Sequence, residues 1–140
     1  MNKAVDERRI VTLHFGEIKV GKDFIFNFPE GILGFEDLRE FVLISEEETE
    51  PFKWLISIEQ PDIGFPMLSP WLLDIEYNPG KIFSHEKNVF FAIVTLEDEN
   101  HQMTANMKAP IILNSDSLEG RQIILSTDKY STNFIIGSNK

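Results

Sequence analysis

The chain contains no cysteine in its 140 residues. Disulfides, zinc–thiolate centres and thiol nucleophiles are therefore excluded. A cysteine-free chain suits a reducing compartment, and a cytoplasmic location is the expectation. Histidine is sparse as well. His14, His85 and His101 lie far apart, with no H-x-x-x-H or H-E-x-x-H spacing to suggest a metal site. Cations are few: 13 Lys and Arg stand against 23 Asp and Glu, for a net charge of −10. A surface of that sign repels phosphate, so direct nucleic-acid binding is not expected. Long apolar runs are missing. The longest, Val89 to Val94, is far too short to span a bilayer, and residues 1–9 are polar, without the apolar stretch of a signal peptide. No membrane association is expected, and residues 1–9 read as a flexible N-terminal extension.

Catalytic patterns are equally scarce. Ser45, Ser57 and Ser69 lack a G-x-S-x-G context. Gly31 and Gly34 do not form G-x-G-x-x-G and are followed by Glu36 and Asp37, which oppose a dinucleotide phosphate. Asp98 and Asn100 lack the glycine and distal glutamate of a calcium loop. Acids are so abundant that any carboxylate pair carries little weight. The chain is expected to be no enzyme and to hold no metal or cofactor.

What the sequence does have is core material and β pattern. Apolar residues make up 42%, including twelve Phe, and a chain of this length buries roughly 70% of its unfolded surface as one domain. Val11, Leu13 and Phe15 alternate with Thr12 and His14, a half-buried strand. Glu17–Val20 and Phe24–Phe28 flank Gly21–Asp23, which predicts a hairpin. Phe24, Phe26 and Phe28 recur with period two on a strand that ends at Pro29, since proline offers no N–H to a ladder. Phe35, Leu38 and Phe41 suggest a brief helix over about 35–40. Strands are predicted at Phe41–Ile44 and Trp54–Glu59. The prolines in Phe65–Pro70 confine that stretch to an edge, a bulge or an irregular segment. Trp71–Tyr77 fits either a strand or a helical turn, and Lys81–Lys87 is ambiguous. Val89–Leu96, β-branched and aromatic on both faces, is the clearest central strand. Met103–Met107 and Ala109–Asn114 read as strand pieces interrupted near Pro110. Arg121–Ser126 and Thr132–Ile136 are predicted to pair with each other. About nine short strands with one or two short helical segments argue an all-β domain over residues 1–140, barrel or sandwich.

Charge is unevenly spread. Residues 30–50 hold eight acids against Arg39 alone, a net −7. Such a segment steers a basic protein partner. Phe65 to Trp71 puts apolar bulk beside two prolines, suited either to plugging a barrel end or to anchoring an apolar helix.

Five segments in series resemble the flagellar assembly factor (FliW) family. Phe28-Pro-Glu-Gly31-Ile-Leu-Gly34-Phe35-Glu36 resembles F-x-x-G-x-P-G-F-E. Pro51-Phe-Lys-Trp-Leu55-Ile-Ser57 resembles a proline followed by an L-Q-S strand. Phe65 to Pro70 with Tyr77 is similar to F-L-x-x-D-P…Y. Thr104-Ala-Asn106-Met-Lys-Ala-Pro110-Ile-Ile-Leu-Asn114 is similar to T-x-N-L-x-A-P-I-x-I-N, and Gly120-Arg-Gln122 with Tyr130 to a terminal G-x-Q strand. Together they run from about residue 10 to 136. Leu33, Ile56 and Ser69 stand where the family commonly has proline, glutamine and aspartate.

The resemblance implies a small antiparallel β-barrel and a non-enzymatic, monomeric regulator. It would bind flagellin in the cytoplasm and antagonise the translational repressor CsrA. Glu30, Glu36, Asp37, Glu46, Glu47, Glu48 and Glu50 are the acids expected to face a partner, with Phe65, Met67 and Trp71 as apolar anchors. Phe28, Gly31, Gly34, Phe35, Asn106, Pro110 and Gln122 are expected to hold the barrel's corners. An adaptor for another client, or a split-barrel flavin-type binder, are the competing readings.

Overall fold

The structure, a computed structural model, describes residues 7–80 and 87–137. Eleven strands form in chain order: β1 (Glu7–Thr12), β2 (Gly16–Gly21), β3 (Ile25–Asn27), β4 (Glu40–Ile44), β5 (Lys53–Ser57), β6 (Gly64–Leu68), β7 (Asn88–Thr95), β8 (Thr104–Ala105), β9 (Ile111–Asn114), β10 (Glu119–Gln122) and β11 (Phe134–Ile135). One helical turn, α1, spans Pro70–Leu73, and 3-10 turns cover Lys22–Phe24 and Glu47–Thr49. Seven strands close on themselves in the order β7-β6-β5-β4-β3-β10-β9 and back to β7. Neighbours are antiparallel except β3 and β10, which run parallel and meet at a single pair, Glu119↔Asn27. β8 and β11 extend the sheet from β7, and β1 and β2 form a separate hairpin.

Period-two alternation explains both the lumen and its coverings. Phe26, Phe41, Leu55, Met67, Phe91, Ile111 and Leu113 point into the barrel with Phe28 and fill it. Val42, Ile44 and Ile56 alternate with them on the outer wall, where the β1–β2 hairpin buries them under Ile10, Ile18 and Val20. β7 is apolar on both faces for a similar reason. Ala92 and Val94 face outward into a second cluster with Ala105, Met107, Tyr77 and Tyr130.

Several local expectations yield to longer-range pairing. β2 pairs with β1 rather than β3, because Gly16 (φ +64°) closes a tight turn. Thr12 Oγ1 there donates to Gly16 O at 3.0 Å and accepts the Phe15 N–H at 2.8 Å. Phe24 consequently sits in a 3-10 turn, 57% exposed, and does not share the face of Phe26 and Phe28. Glu7 to Arg9, expected in a flexible extension, belong to β1; the rest of that extension lies outside the described residues. No helix forms over 35–40. Glu59 carboxylate oxygens accept the N–H groups of Arg39 and Glu40, at 3.1 and 3.2 Å, and Arg39 O accepts from Phe28 N, so these groups are committed across the chain.

The stretch at Pro66 lies inside the barrel wall as β6. Ser57 N donates to Ile63 O at 3.0 Å, which makes 57/63 a hydrogen-bonded pair and, three residues on, leaves Trp54↔Pro66 a non-hydrogen-bonded one. The proline nitrogen then turns toward β7, whose ladder with β6 starts only at Met67. At that position β6 behaves as an edge, which is where proline is tolerated. Trp71 resolves into α1. At the C-terminal end, Ile123 and Leu125 donate to Pro110 O and Lys108 O, so β10 continues alongside the 108–110 bend, while β11 pairs with β8. The ambiguous stretch at 81–86 is outside the described residues.

Candidate functional site

Two features gather the residues singled out by sequence: the corner from Phe28 to Arg39 and the acidic turn from Glu46 to Glu50. The corner is a series of short turns. Gly31 N donates to Phe28 O, Phe35 N to Ile32 O and Leu38 N to Phe35 O, at 3.0, 2.6 and 3.1 Å. Gly31 and Gly34 both have positive φ, +68° and +87°. Arg39 braces the loop from within: its Nε donates to Glu36 O at 3.0 Å and its guanidinium to Pro29 O at 2.7 Å. Phe28 is fully buried, with its ring edge-on to Phe41 at 5.1 Å. Phe35 packs half-buried against Phe65, 5.2 Å between centroids.

Gln122 reaches the same corner from β10. Its Oε1 accepts the Leu33 N–H at 2.9 Å and its Nε2 donates to Ala109 O at 3.0 Å, tying the corner to the bend at Pro110. Asn106 closes that bend, its Oδ1 accepting the N–H groups of Lys108 and Ala109 at 3.2 and 2.9 Å. Pro110 is fully buried. The motif residues are thus brought into one bonded unit around the corner, except Asn106, which acts one turn away.

The acids divide into two groups. Glu30, Glu36 and Asp37 are exposed on the corner, and the Glu36 carboxylate accepts the Gly34 N–H at 3.1 Å. Glu46, Glu47 and Glu48 are exposed on the 3-10 turn after β4 and make no ion pair among the described residues. Glu50 is engaged by Lys53 at 2.9 Å. The five residues of β4 stand between the two groups, roughly 17 Å at about 3.4 Å per residue. The apolar anchors do not assemble. Met67, expected as an anchor, is 0% exposed and fills the barrel core instead of a surface. Phe65 packs toward the lumen with Phe35 and Phe41. Trp71 lies on another wall, donating Nε1–H to Tyr77 O at 2.9 Å.

That wall holds an aromatic cluster that brings Trp71 together with Tyr77 and Tyr130, the last two named above in different segments of the family resemblance. Tyr77 and Tyr130 lie 4.6 Å apart, Tyr77 OH donates to Met107 O at 2.7 Å, and Tyr130 OH accepts the Asn78 N–H at 2.7 Å. Burial first, and then the neighbouring Tyr130, push the Tyr77 phenol well above its usual pKa. Its hydroxyl is a structural donor. No group of three or more His, Asp or Glu among the described residues is placed to hold a metal ion, and no helix among them is long and apolar enough to cross a membrane.

The class is that of a small closed β-barrel whose lumen is packed core and whose distinctive chemistry lies in its turns and edges. The family model for FliW protein matches residues 9–136. A flagellar assembly factor FliW of Caldanaerobacter subterraneus is 41% identical over 85% of this chain and 86% of its own length. One from Bdellovibrio bacteriovorus is 38% identical over 83% and 71%. A crystal structure of the flagellar assembly factor FliW superposes with a TM-score of 0.83 at 29% identity, covering 95% of this chain and 99% of that one. The chain belongs to the FliW family of flagellar assembly factors.

Proposed function

We propose that this protein is a non-enzymatic, cytoplasmic and monomeric assembly factor that binds flagellin and, when flagellin is exported, binds and antagonises the translational repressor CsrA. Flagellin synthesis would then follow export. The observation that carries the second half is the turn at Glu46, Glu47 and Glu48, three exposed carboxylates without an ion pair among the described residues. Charge concentrated on one turn draws in a basic surface and, next to that surface, disfavours RNA phosphate. A packed lumen speaks against the flavin-binder alternative.

Purified protein mixed separately with flagellin and with CsrA tests the reading, with RNA release from CsrA as the second readout. Binding to both is expected. Association with CsrA should slow steeply as salt rises, and Glu46→Gln/Glu47→Gln/Glu48→Gln should lower its rate about tenfold. Binding to neither overturns the function. An unchanged rate in the triple variant removes the electrostatic part alone.

A further inference from the structure

The barrel wall has a gap beside β2. β3 pairs with β4 only at Ile25↔Val42, Phe26↔Phe41 and Asn27↔Glu40. Before Ile25 the chain leaves the ladder through the 3-10 turn Lys22–Phe24. Leu43 and Ile44 therefore pair with β5 on one side and with no described strand on the other. β2 pairs with β1 alone, and among the described residues no ladder joins it to another strand. Half of its N–H and C=O groups point away from β1 by strand geometry.

Between these two open edges runs a groove of about 270 Å3, with Ile18–Gly21 on one bank and Val42–Glu46 on the other. Phe24 also lines it, 57% exposed. Lys19 and Glu46 are its charged side chains, and Glu47 and Glu48 follow directly beyond Glu46. Open edges are normally shortened, charged or covered. Here the charge argues against a second copy as the cover, because the chain carries −10 and Glu46, without an ion pair among the described residues, stands at the groove's end with Glu47 and Glu48 next in the chain.

We propose that the groove is a docking site for an extended segment of a protein partner, added as a strand along the open edge of β2. The segment sets alternate apolar side chains against Phe24 and Ile18. It carries Lys or Arg where it reaches Glu46, Glu47 and Glu48, and uncharged residues along Lys19. Main-chain hydrogen bonds give such a mode its affinity, and the alternating side chains and the charged end give selectivity. This goes beyond the proposed function: it fixes a surface and a binding mode, and stands or falls without either named partner.

The test uses the full chain and a short synthetic peptide that alternates Val with Thr and ends in Lys-Arg-Lys. Amide resonances should shift at residues 17–21, 24 and 43–48, and hydrogen exchange of the β2 amides should slow. Phe24→Ser and Glu46→Lys/Glu47→Lys, both at exposed positions, should each weaken binding roughly tenfold, as should a peptide ending in Glu-Asp-Glu. The proposal is overturned by shifts that map elsewhere, by no binding, or by equal affinity for the two peptides. A dimer of the chain alone with protected β2 amides also overturns it, by giving the groove to a second copy.

Discussion

Alanine at Gly31 and at Gly34 should have clearly different consequences, although the two residues are three apart and both lie at positive φ. At Gly34 (φ +87°) an added Cβ meets no atom within 4 Å. Only the backbone preference is lost there, about 1–2 kcal/mol for an L-residue. At Gly31 (φ +68°) the same Cβ would stand 2.6 Å from Glu36 Cα, 2.8 Å from Glu36 O and 2.9 Å from Glu36 C. These are backbone atoms, so the clash cannot be relieved by a rotamer change. Relief requires moving the Glu36 peptide, whose carbonyl accepts from Arg39 Nε. Overpacking of this kind adds about 1–3 kcal/mol to the backbone cost. Gly31→Ala is therefore expected to destabilise by about 2–5 kcal/mol and Gly34→Ala by about 1–2, with Gly34→Asn nearer wild type because Asn tolerates the left-handed region. Equilibrium urea unfolding of the three variants, with m held common, gives the comparison. If Gly34→Ala costs as much as Gly31→Ala, the steric account of the corner is wrong.

Two further perturbations probe the barrel. Gly120→Ala would drive a Cβ into the Phe28 ring, so it should destabilise by about 1–3 kcal/mol. Phe28→Leu in the same chain should restore part of that loss, whereas strictly additive unfolding energies would exclude the contact. The raised Tyr77 pKa makes a pH prediction with a definite sign. The neutral phenol is the form the fold favours, so its contribution is complete below the ordinary tyrosine pKa of about 10 and is lost as pH rises beyond it. Stability should fall above about pH 10, and less steeply in Tyr77→Phe, which also lacks the bond to Met107 O and starts about 1 kcal/mol lower at neutral pH. Parallel curves for the two proteins would refute the assignment.

Short apolar runs were the dependable signal in this chain, and strict alternation was not: Val11 and Leu13 are exposed with Thr12 buried between them, and Phe24 leaves the face of Phe26 and Phe28. The strands expected at Phe41–Ile44, Trp54–Glu59 and Val89–Leu96 form over Glu40–Ile44, Lys53–Ser57 and Asn88–Thr95. Pairing partners were less legible, because they depend on closures between distant residues. Gly21–Asp23 resembles a hairpin turn, yet Thr12 and Gly16 make the turn that forms. Phe35, Leu38 and Phe41 have helical spacing, yet Glu59, twenty residues beyond Arg39, takes the amides of Arg39 and Glu40. Pro66 argued against an interior strand, and only the ladder offset between β5 and β7 makes room for it. In the candidate site, the glycines announced their own backbone geometry. Met67 illustrates the opposite case: nothing local distinguishes an apolar residue that anchors a partner from one that fills a lumen.

The same distinction governs how the acidic segment acts. Read along the chain, residues 30–50 are a single field of −7. Folded, the corner acids and the turn acids are separated by the five residues of β4, about 17 Å, beyond the Debye length of about 8 Å at physiological salt. A partner docking at one end therefore feels the other end only weakly. The ends also differ in what their carboxylates are doing. Glu36 accepts the Gly34 N–H, so its charge is engaged in holding the corner. Glu46, Glu47 and Glu48 hold no ion pair among the described residues, and Glu46 lines a groove with open strand edges. Neutralising Glu36 should thus register mainly as lost stability, and neutralising the turn acids mainly as lost association rate.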